Sequence, residues 1–459
     1  MAEYNFSVEK TLTQLLDDKK YHSLRDILCT MNPADIAAVF DELNEARLPL
    51  LFRLLPKELA AETFVEMEPD AQELLIRGFS DSELKEVIDE LYVDDAVDIV
   101  EEMPANVVQR ILSQAEPEMR KQINEILRYP EDSAGSIMTT EYVSLRPNMT
   151  VGEAILRIRR TGIDKETIYT CYVTRGHKLV GMVTVKTLLL CEDDETPISD
   201  IMQEHVITVN TLDDKEQVAQ MFSKYDFLAL PVVDTENRLV GIVTFDDAWD
   251  VMEDEATEDM EIMAAMLPSE HPYIKSSPIE IWKNRIPWLL LLMVSATLTG
   301  IVINNFESAL GVLPCLTAFI PMLMDTGGNS GSQASVTIIR AISLNEIDFG
   351  DLLRVIWKEI RVAVLCGICL SIACFAKIIL IDKLLLHNES ITTMVALVVC
   401  LSLALTVCVA KLVGCVLPML AKKLGFDPAV MASPLITTIV DFLSLLIYFS
   451  FATSILHIG

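Results

Sequence analysis

The first 280 residues of this 459-residue chain are short of positive charge: they hold 25 Lys and Arg against 57 Asp and Glu, whereas residues 281–459 hold 11 against 10. A region near −32 without a basic patch excludes a nucleic-acid binder that relies on phosphate contacts. Cysteine is scarce there too. Cys29, Cys171 and Cys191 are its only three, which excludes a disulfide framework. The opening segment MAEYNFSVEK lacks an apolar run, so no cleaved signal is expected and the acidic part is expected to stay in the cytoplasm. Catalytic machinery is missing as well: there is no nucleophile–base constellation, and Gly327-Gly328 lacks the lysine of a phosphate loop, so no enzyme is expected.

What the second part does have is long apolar runs. Ile286–Ile303 carries no charge and follows Trp282, Lys283 and Arg285, the residues of a membrane interface. Leu310–Met324 is shorter and runs into Asp325-Thr-Gly-Gly-Asn-Ser-Gly-Ser-Gln333, which reads as a glycine-loosened segment facing protein or a water-filled cavity. Val355–Ile381, Ile391–Leu420 and Pro428–Ile455 complete five expected spans. With the acidic part inside, the inner loops hold Lys283, Arg285, Arg340, Arg354, Lys358, Arg361, Lys422 and Lys423, and the outer ones Lys377 and Lys383. That satisfies the positive-inside bias and puts the C-terminus outside. The pair Cys366 and Cys369 sits in the apolar run Val362–Ala376 without His or a second pair, which reads as helix packing or lipid contact instead of metal binding.

Asp441 falls about 20 Å into the fifth span, where a charge is costly and marks an ion or substrate path. At helical spacing Ser433, Thr437, Thr438, Asp441, Ser444 and Tyr448 share its face, a candidate pore lining. Lys377 and Lys411 are the candidate partners for a buried pair, but both are expected near span ends, free to snorkel. Carboxylate and hydroxyl oxygens without His or Cys suit a hard cation such as Mg²⁺. One Asp per chain is a thin site, and a two-fold axis would bring two together.

The acidic part contains a repeat. Ile137-Met138 matches Ile201-Met202, and Leu179-Val-Gly-Met-Val-Thr184 matches Leu239-Val-Gly-Ile-Val-Thr244, each within strand, helix, strand, strand, helix. This resembles a tandem pair of cystathionine-β-synthase (CBS) domains, in which Thr244 and Asp247 would be nucleotide contacts and ATP a candidate ligand; the first repeat has Thr187 where the second has Asp247. Residues 5–130 read as short helices starting at Pro33, Pro56, Pro69, Ser80, Val93 and Pro104, similar to an α-solenoid. From Asp246 to Glu261 there are nine acidic residues and no Lys or Arg, so divalent cations would relieve repulsion along that helix.

The reading is of a multidomain membrane protein: an all-α N-domain (1–130), an α/β CBS pair (131–250), an acidic connecting helix (251–280) and a five-helix all-α membrane domain (281–459). That order, with Pro321-Met-Leu-Met-Asp-Thr-Gly-Gly-Asn-Ser-Gly-Ser-Gln333, Asp427-Pro428 and Asp441, resembles the MgtE family of magnesium channels over essentially the full length. The resemblance implies a plasma-membrane homodimer in the lipid bilayer with a pore between subunits, without nucleic acid or an obligatory protein partner. It implies pore metal contacts at Asp441, Thr437 and Ser433, with Gly327, Gly328, Asn329 and Ser444 lining the path. It further implies that Asp95, Glu216, Asp226, Asp247, Asp250, Glu255, Glu258, Asp259 and Asp427 bind intracellular Mg²⁺ and hold the channel shut. The sequence departs from the family at Ser433, which puts a second pore site there in doubt, and Asp94 or Asp98 could serve in place of Asp95. An ion-coupled secondary transporter of divalent cations and a membrane-anchored nucleotide sensor stay open as alternatives.

Overall fold

The computed structural model describes residues 11–457 except 42, 44, 45, 270–272, 274, 275, 386, 388 and 389; the side chains of Asp164 and Ser433 also fall outside the described set. The chain divides into two compact units, Met1–Glu253 and Asp254–Gly459.

The first unit begins with short helices, and their starts follow the expected punctuation: Pro33–Asp41, Lys57–Val65, Pro69–Gly78, Asp81–Ile88, α1 (Val93–Glu102) and Ala105–Gln114. Ser80 closes a capping box with Glu83, satisfying two N-terminal donors at once. In α1 the buried residues Val93, Ala96, Val97 and Val100 recur at helical spacing.

Two three-stranded sheets follow. In the first, β1 (Tyr142–Leu145) runs parallel to β2 (Thr167–Arg175), which is antiparallel to β3 (Lys178–Thr184); the crossover carries α2 (Val151–Thr161). The second repeats this with β4 (Val209–Asn210), α3 (Lys215–Tyr225), β5 (Ala229–Val233) and β6 (Leu239–Thr244).

The repeated motifs turn out to be the two halves of one exchanged contact. Thr139 of the first repeat bridges Ile242 in β6 through two backbone bonds of 2.8 and 2.9 Å, while Gln203 of the second bridges Met182 in β3 at 2.8 and 3.0 Å. A Cβ on Gly241 would lie 2.7 Å from the Thr139 carbonyl oxygen, and one on Gly181 would lie 2.8 Å from Met202 Sδ. The Ile-Met and Leu-Val-Gly pairs recur because each crossing needs a close backbone approach.

α4 (Phe245–Met263) comes next. In the second unit, α5 (Pro278–Ser295) and α6 (Thr297–Asn305) form the first apolar helix, Pro278–Asn305. α7 (Ile320–Ser343), α8 (Leu352–Lys377), α9 (Thr393–Leu424) and α10 (Ser433–Leu456) complete the bundle. Among the described residues four helices are long and apolar enough to cross a membrane: Pro278–Asn305, Phe349–Leu385, Thr393–Leu424 and Pro428–Leu456.

The second expected span is corrected in two ways. The run Leu310–Met324 is broken, with Glu307–Val312 helical and Pro314–Phe319 in a 3₁₀ turn before α7 begins. The glycine-rich segment is not loosened; it lies inside continuous α7, and its polar composition keeps α7 out of the apolar set. Its glycines serve close packing. A Cβ on Gly327 would lie 2.7 Å from Thr406 Cγ2, one on Gly328 would lie 2.8 Å from Thr437 Cγ2, and one on Gly414 of α9 would overlap the Gly331 carbonyl. Small residues at these crossings let α7 sit in the cleft between α9 and α10, as membrane helices do when apolar burial alone cannot drive association.

Candidate metal centres

In the first unit, carboxylates crowd where α1 meets the CBS pair. Asp94 is 8% exposed, its Oδ1 and Glu166 Oε2 are buried without a hydrogen-bond partner, and Asp247 accepts from the Thr244 hydroxyl at 2.5 Å. Glu141 accepts from the Val93 backbone N–H at 3.4 Å. Burial first, and then the neighbouring carboxylates, push Asp95 and Asp98 up to about 7, Glu166 to about 8 and Asp247 to about 6, and Asp94 rises well above the carboxylate range. The field on this group comes from Asp95, Asp246, Asp247, Glu141 and Glu166 acting on one another. Orphaned, crowded carboxylate oxygens are the donor set of a hard divalent cation.

Of the residues expected here, the fold gathers Asp95 and Asp247, with Asp250 acting on Asp247 from one turn further along α4. It adds Asp94, Asp98, Glu141 and Glu166. The last two were invisible in the sequence, because each is a lone acid beside a strand and only the fold brings it to α1. Glu216 lies in the first turn of α3 and accepts from Gln220 at 3.0 Å. Asp226 caps α3 in the left-handed region (φ 54°) and lines a cleft of about 190 Å³ together with Thr170, Met182, Thr184 and Phe227. Thr244 and Asp247, expected at a nucleotide, are bonded to each other at the edge of the acidic seam.

In the second unit, the end of α4 packs Ile262 and Met263 against Ile339 of α7 and Ala429 and Ala432 at the entry to α10. This brings together Asp259 and Asp427, both expected sites. Burial and then Asp427 raise the Asp259 carboxyl, while the Ser343 hydroxyl at 3.4 Å and the Arg340 charge oppose the rise. Asp427 accepts from the Ala429 N–H at 2.8 Å, capping the turn into α10. Glu255 is half-buried and Glu258 exposed on the same stretch of α4.

Asp441 lies about 12 Å along α10, a helix about 36 Å long. Its Oδ1 is buried and has no hydrogen-bond partner, and the charge that bears on it is Asp325 of α7. Asp325 is exposed and accepts from Asn329 Nδ2 at 3.1 Å. The expected polar face is split. Thr437 borders Gly328 and stays with Asp441, but Ser444 is 1% exposed and bonds back to the Val440 carbonyl, and Tyr448 is buried with its hydroxyl on the Leu316 carbonyl at 3.0 Å. Gly327, Gly328 and Ser444 therefore lie in the seam between α7 and α10, and Asn329 is the exposed one of the four lining residues expected. The expectation for Lys411 also changes: midway along α9 it is 5% exposed, buried instead of snorkelling, whereas Lys377 ends α8 and pairs with Asp382 at 2.8 Å. Ser433's side chain lies outside the described residues. Among the described residues no three His, Cys, Asp or Glu side chains are gathered closely enough to hold an ion.

Comparison with known proteins follows this division. Family models match residues 320–451 as a divalent cation transporter domain, 31–132 as the MgtE intracellular N domain, and 134–192 and 198–248 as CBS domains. The magnesium transporter MgtE of Thermus thermophilus is 37% identical over 97% of this chain and 98% of its own length. The one from Bacillus subtilis is 33% identical over 96% of both. A crystal structure of the cytosolic domain of the Mg²⁺ channel MgtE in complex with ATP superposes with a TM-score of 0.50 at 37% identity, covering 53% of this chain and 99% of that one. With two near-full-length relatives of the same name and every domain matched in order, the chain belongs to the MgtE family of magnesium transporters.

Proposed function

We propose that this protein is a Mg²⁺ channel that imports the ion down its electrochemical gradient and is closed by intracellular Mg²⁺. The observation that carries the conducting half is Asp441: a carboxylate with a buried, partnerless oxygen in an apolar helix, within electrostatic reach of a second carboxylate, Asp325. Such a group is costly to hold in a membrane and is retained where a cation passes. Thr437 stands beside it, and Ser433 is the further pore contact on α10. Mg²⁺ keeps several waters and needs few carboxylates, so two Asp441 residues across a homodimer axis would suffice. In this reading α7, although too polar for the apolar set, is the second of five spans, and the C-terminus is outside.

The gating half rests on the acidic seam at α1 and on the Asp259–Asp427 pair, with Glu255, Glu258, Glu216, Asp226 and Asp250 as further ligands. Bound Mg²⁺ offsets the mutual repulsion and holds the closed arrangement; its loss releases it. The domain limits expected above, 1–130, 131–250, 251–280 and 281–459, remain those of the proposal. ATP is assigned to the CBS pair, with Thr244 and Asp247 and the cleft beside Thr184 and Asp226 as its candidate contacts; that a similar cytosolic domain has been crystallised with ATP supports ATP as a ligand. The test is Mg²⁺ uptake in cells lacking other importers: wild-type protein restores growth at low Mg²⁺ and Asp441→Ala does not. Rescue by the variant would refute the pore assignment.

A further inference from the structure

One face of α8 changes character along its length. Arg354, Trp357, Lys358 and Arg361 recur at three- and four-residue spacing on an exposed stripe, and Leu365, Ile368 and Ile372 continue that stripe without charge. Val355, Ala363 and Gly367 on the other side are buried, and a Cβ on Gly367 would lie 3.4 Å from the Ala404 carbonyl oxygen of α9. The stripe therefore faces away from the bundle. From Val362 to Ala376 no residue is charged, about 22 Å of helix, so Arg361 and Lys377 stand near the two borders of the hydrocarbon layer.

The basic end of the stripe is arranged to receive an anion. Arg361 Nε donates to the Trp357 carbonyl at 3.3 Å, and its guanidinium carbon lies 5.8 Å from the centroid of the Trp357 ring, which holds the planar group in place and leaves both Nη atoms open. Lys358 is exposed and has no ion-pair partner among the described residues. Arg354 is shared with Asp351 at 2.6 Å, although its side chain stays 87% exposed. Glu359 is half-buried on the side toward α9. The lysines at the same end of α9 are engaged: Lys422 reaches Asp348 at 4.0 Å, and Lys423 Nζ lies 3.9 Å from the centroid of the Phe349 ring. With Asp351 offsetting Arg354, the uncompensated charge on the stripe is that of Lys358 and Arg361.

We propose that this face of α8 binds one anionic phospholipid, with its phosphodiester between Lys358 and Arg361 and an acyl chain along Leu365, Ile368 and Ile372. Arginine presents parallel N–H groups to two phosphate oxygens, lysine adds a point charge, and tryptophan belongs at headgroup level. A zwitterionic lipid would bring its own ammonium group toward Lys358, so an anionic headgroup is favoured. The apolar continuation of the stripe commits the occupant to a lipid, because a soluble anion would gain nothing from it.

The test is native mass spectrometry of the full-length protein in detergent, titrated with phosphatidylglycerol or with phosphatidylcholine of the same acyl chains. Wild-type protein is expected to hold one phosphatidylglycerol per chain about tenfold or more tightly than phosphatidylcholine. Lys358→Gln with Arg361→Gln, both at exposed positions, removes that preference with an unchanged elution profile. Lys422→Gln with Lys423→Gln takes the same charge from the same end of the bundle and keeps it. A wild type without preference, a preference that survives in the first double variant, or an equal loss in the second would each overturn the proposal.

Discussion

The seam around α1 holds seven carboxylates that raise one another's affinity for protons, whereas α10 holds a single one among 24 residues. Crowding gives the first region a graded response: each cation or proton bound changes the repulsion felt by the rest. Isolation gives the second a different property. On the proposed reading, with Asp325 as the neighbouring charge among the described residues, an ion at Asp441 is held weakly enough to leave. On the proposed reading, many crowded carboxylates suit sensing, and a sparse pair in the apolar unit suits passage.

The comparison breaks most visibly at its single-residue end. Asp441→Ala is expected to reduce Mg²⁺ flux to that of protein-free liposomes, measured with a Mg²⁺-sensitive dye; flux above half of wild type would remove the distinction. Packing of the membrane unit comes next. Gly328→Val places methyl groups where Thr437 stands, and overpacking of this kind costs about 1–3 kcal/mol, read as a lower unfolding midpoint in detergent. An unchanged midpoint would show that the α7–α10 seam yields.

The crowded end responds to pH. Carboxyls raised to about 6–8 in the folded state bind more protons there than when unfolded, so their contribution to stability is full below about pH 4 and is lost as pH rises through 6 to 8. Metal-free protein should therefore unfold at lower temperature at pH 8.5 than at pH 6, and Mg²⁺ should restore more at pH 8.5. Asp94→Asn removes a buried charge and should raise the metal-free midpoint at pH 8.5 while weakening the gain from Mg²⁺, an effect of about 1–3 kcal/mol. The smallest effect is proton release: Mg²⁺ added at pH 6.5 should displace protons into weakly buffered solution, with far fewer displaced at pH 8.5. Equal release at both would mean that these carboxyls are not the ligands.

The helix starts, the CBS repeat and Asp441 were legible because they rest on local rules: proline at a helix start, glycine where backbones cross, charge in an apolar run. Glu141 and Glu166 were not, since their partners come from distant segments and no spacing announces them. The glycine-rich run misled for a physical reason. In water nine small or polar residues in succession, Asp325 to Gln333, weaken a helix, but between α9 and α10 the small ones allow close contact with both neighbours.

The division of labour is tested most directly by Mg²⁺ influx into proteoliposomes as the Mg²⁺ concentration facing the acidic unit is raised, comparing wild type with the triple variant Asp94→Asn, Asp95→Asn, Asp247→Asn. Wild-type flux should fall as Mg²⁺ rises through the millimolar range, while the variant should conduct with a flat response. A variant that closes at the wild-type Mg²⁺ concentration would contradict the assignment of sensing to the seam around α1.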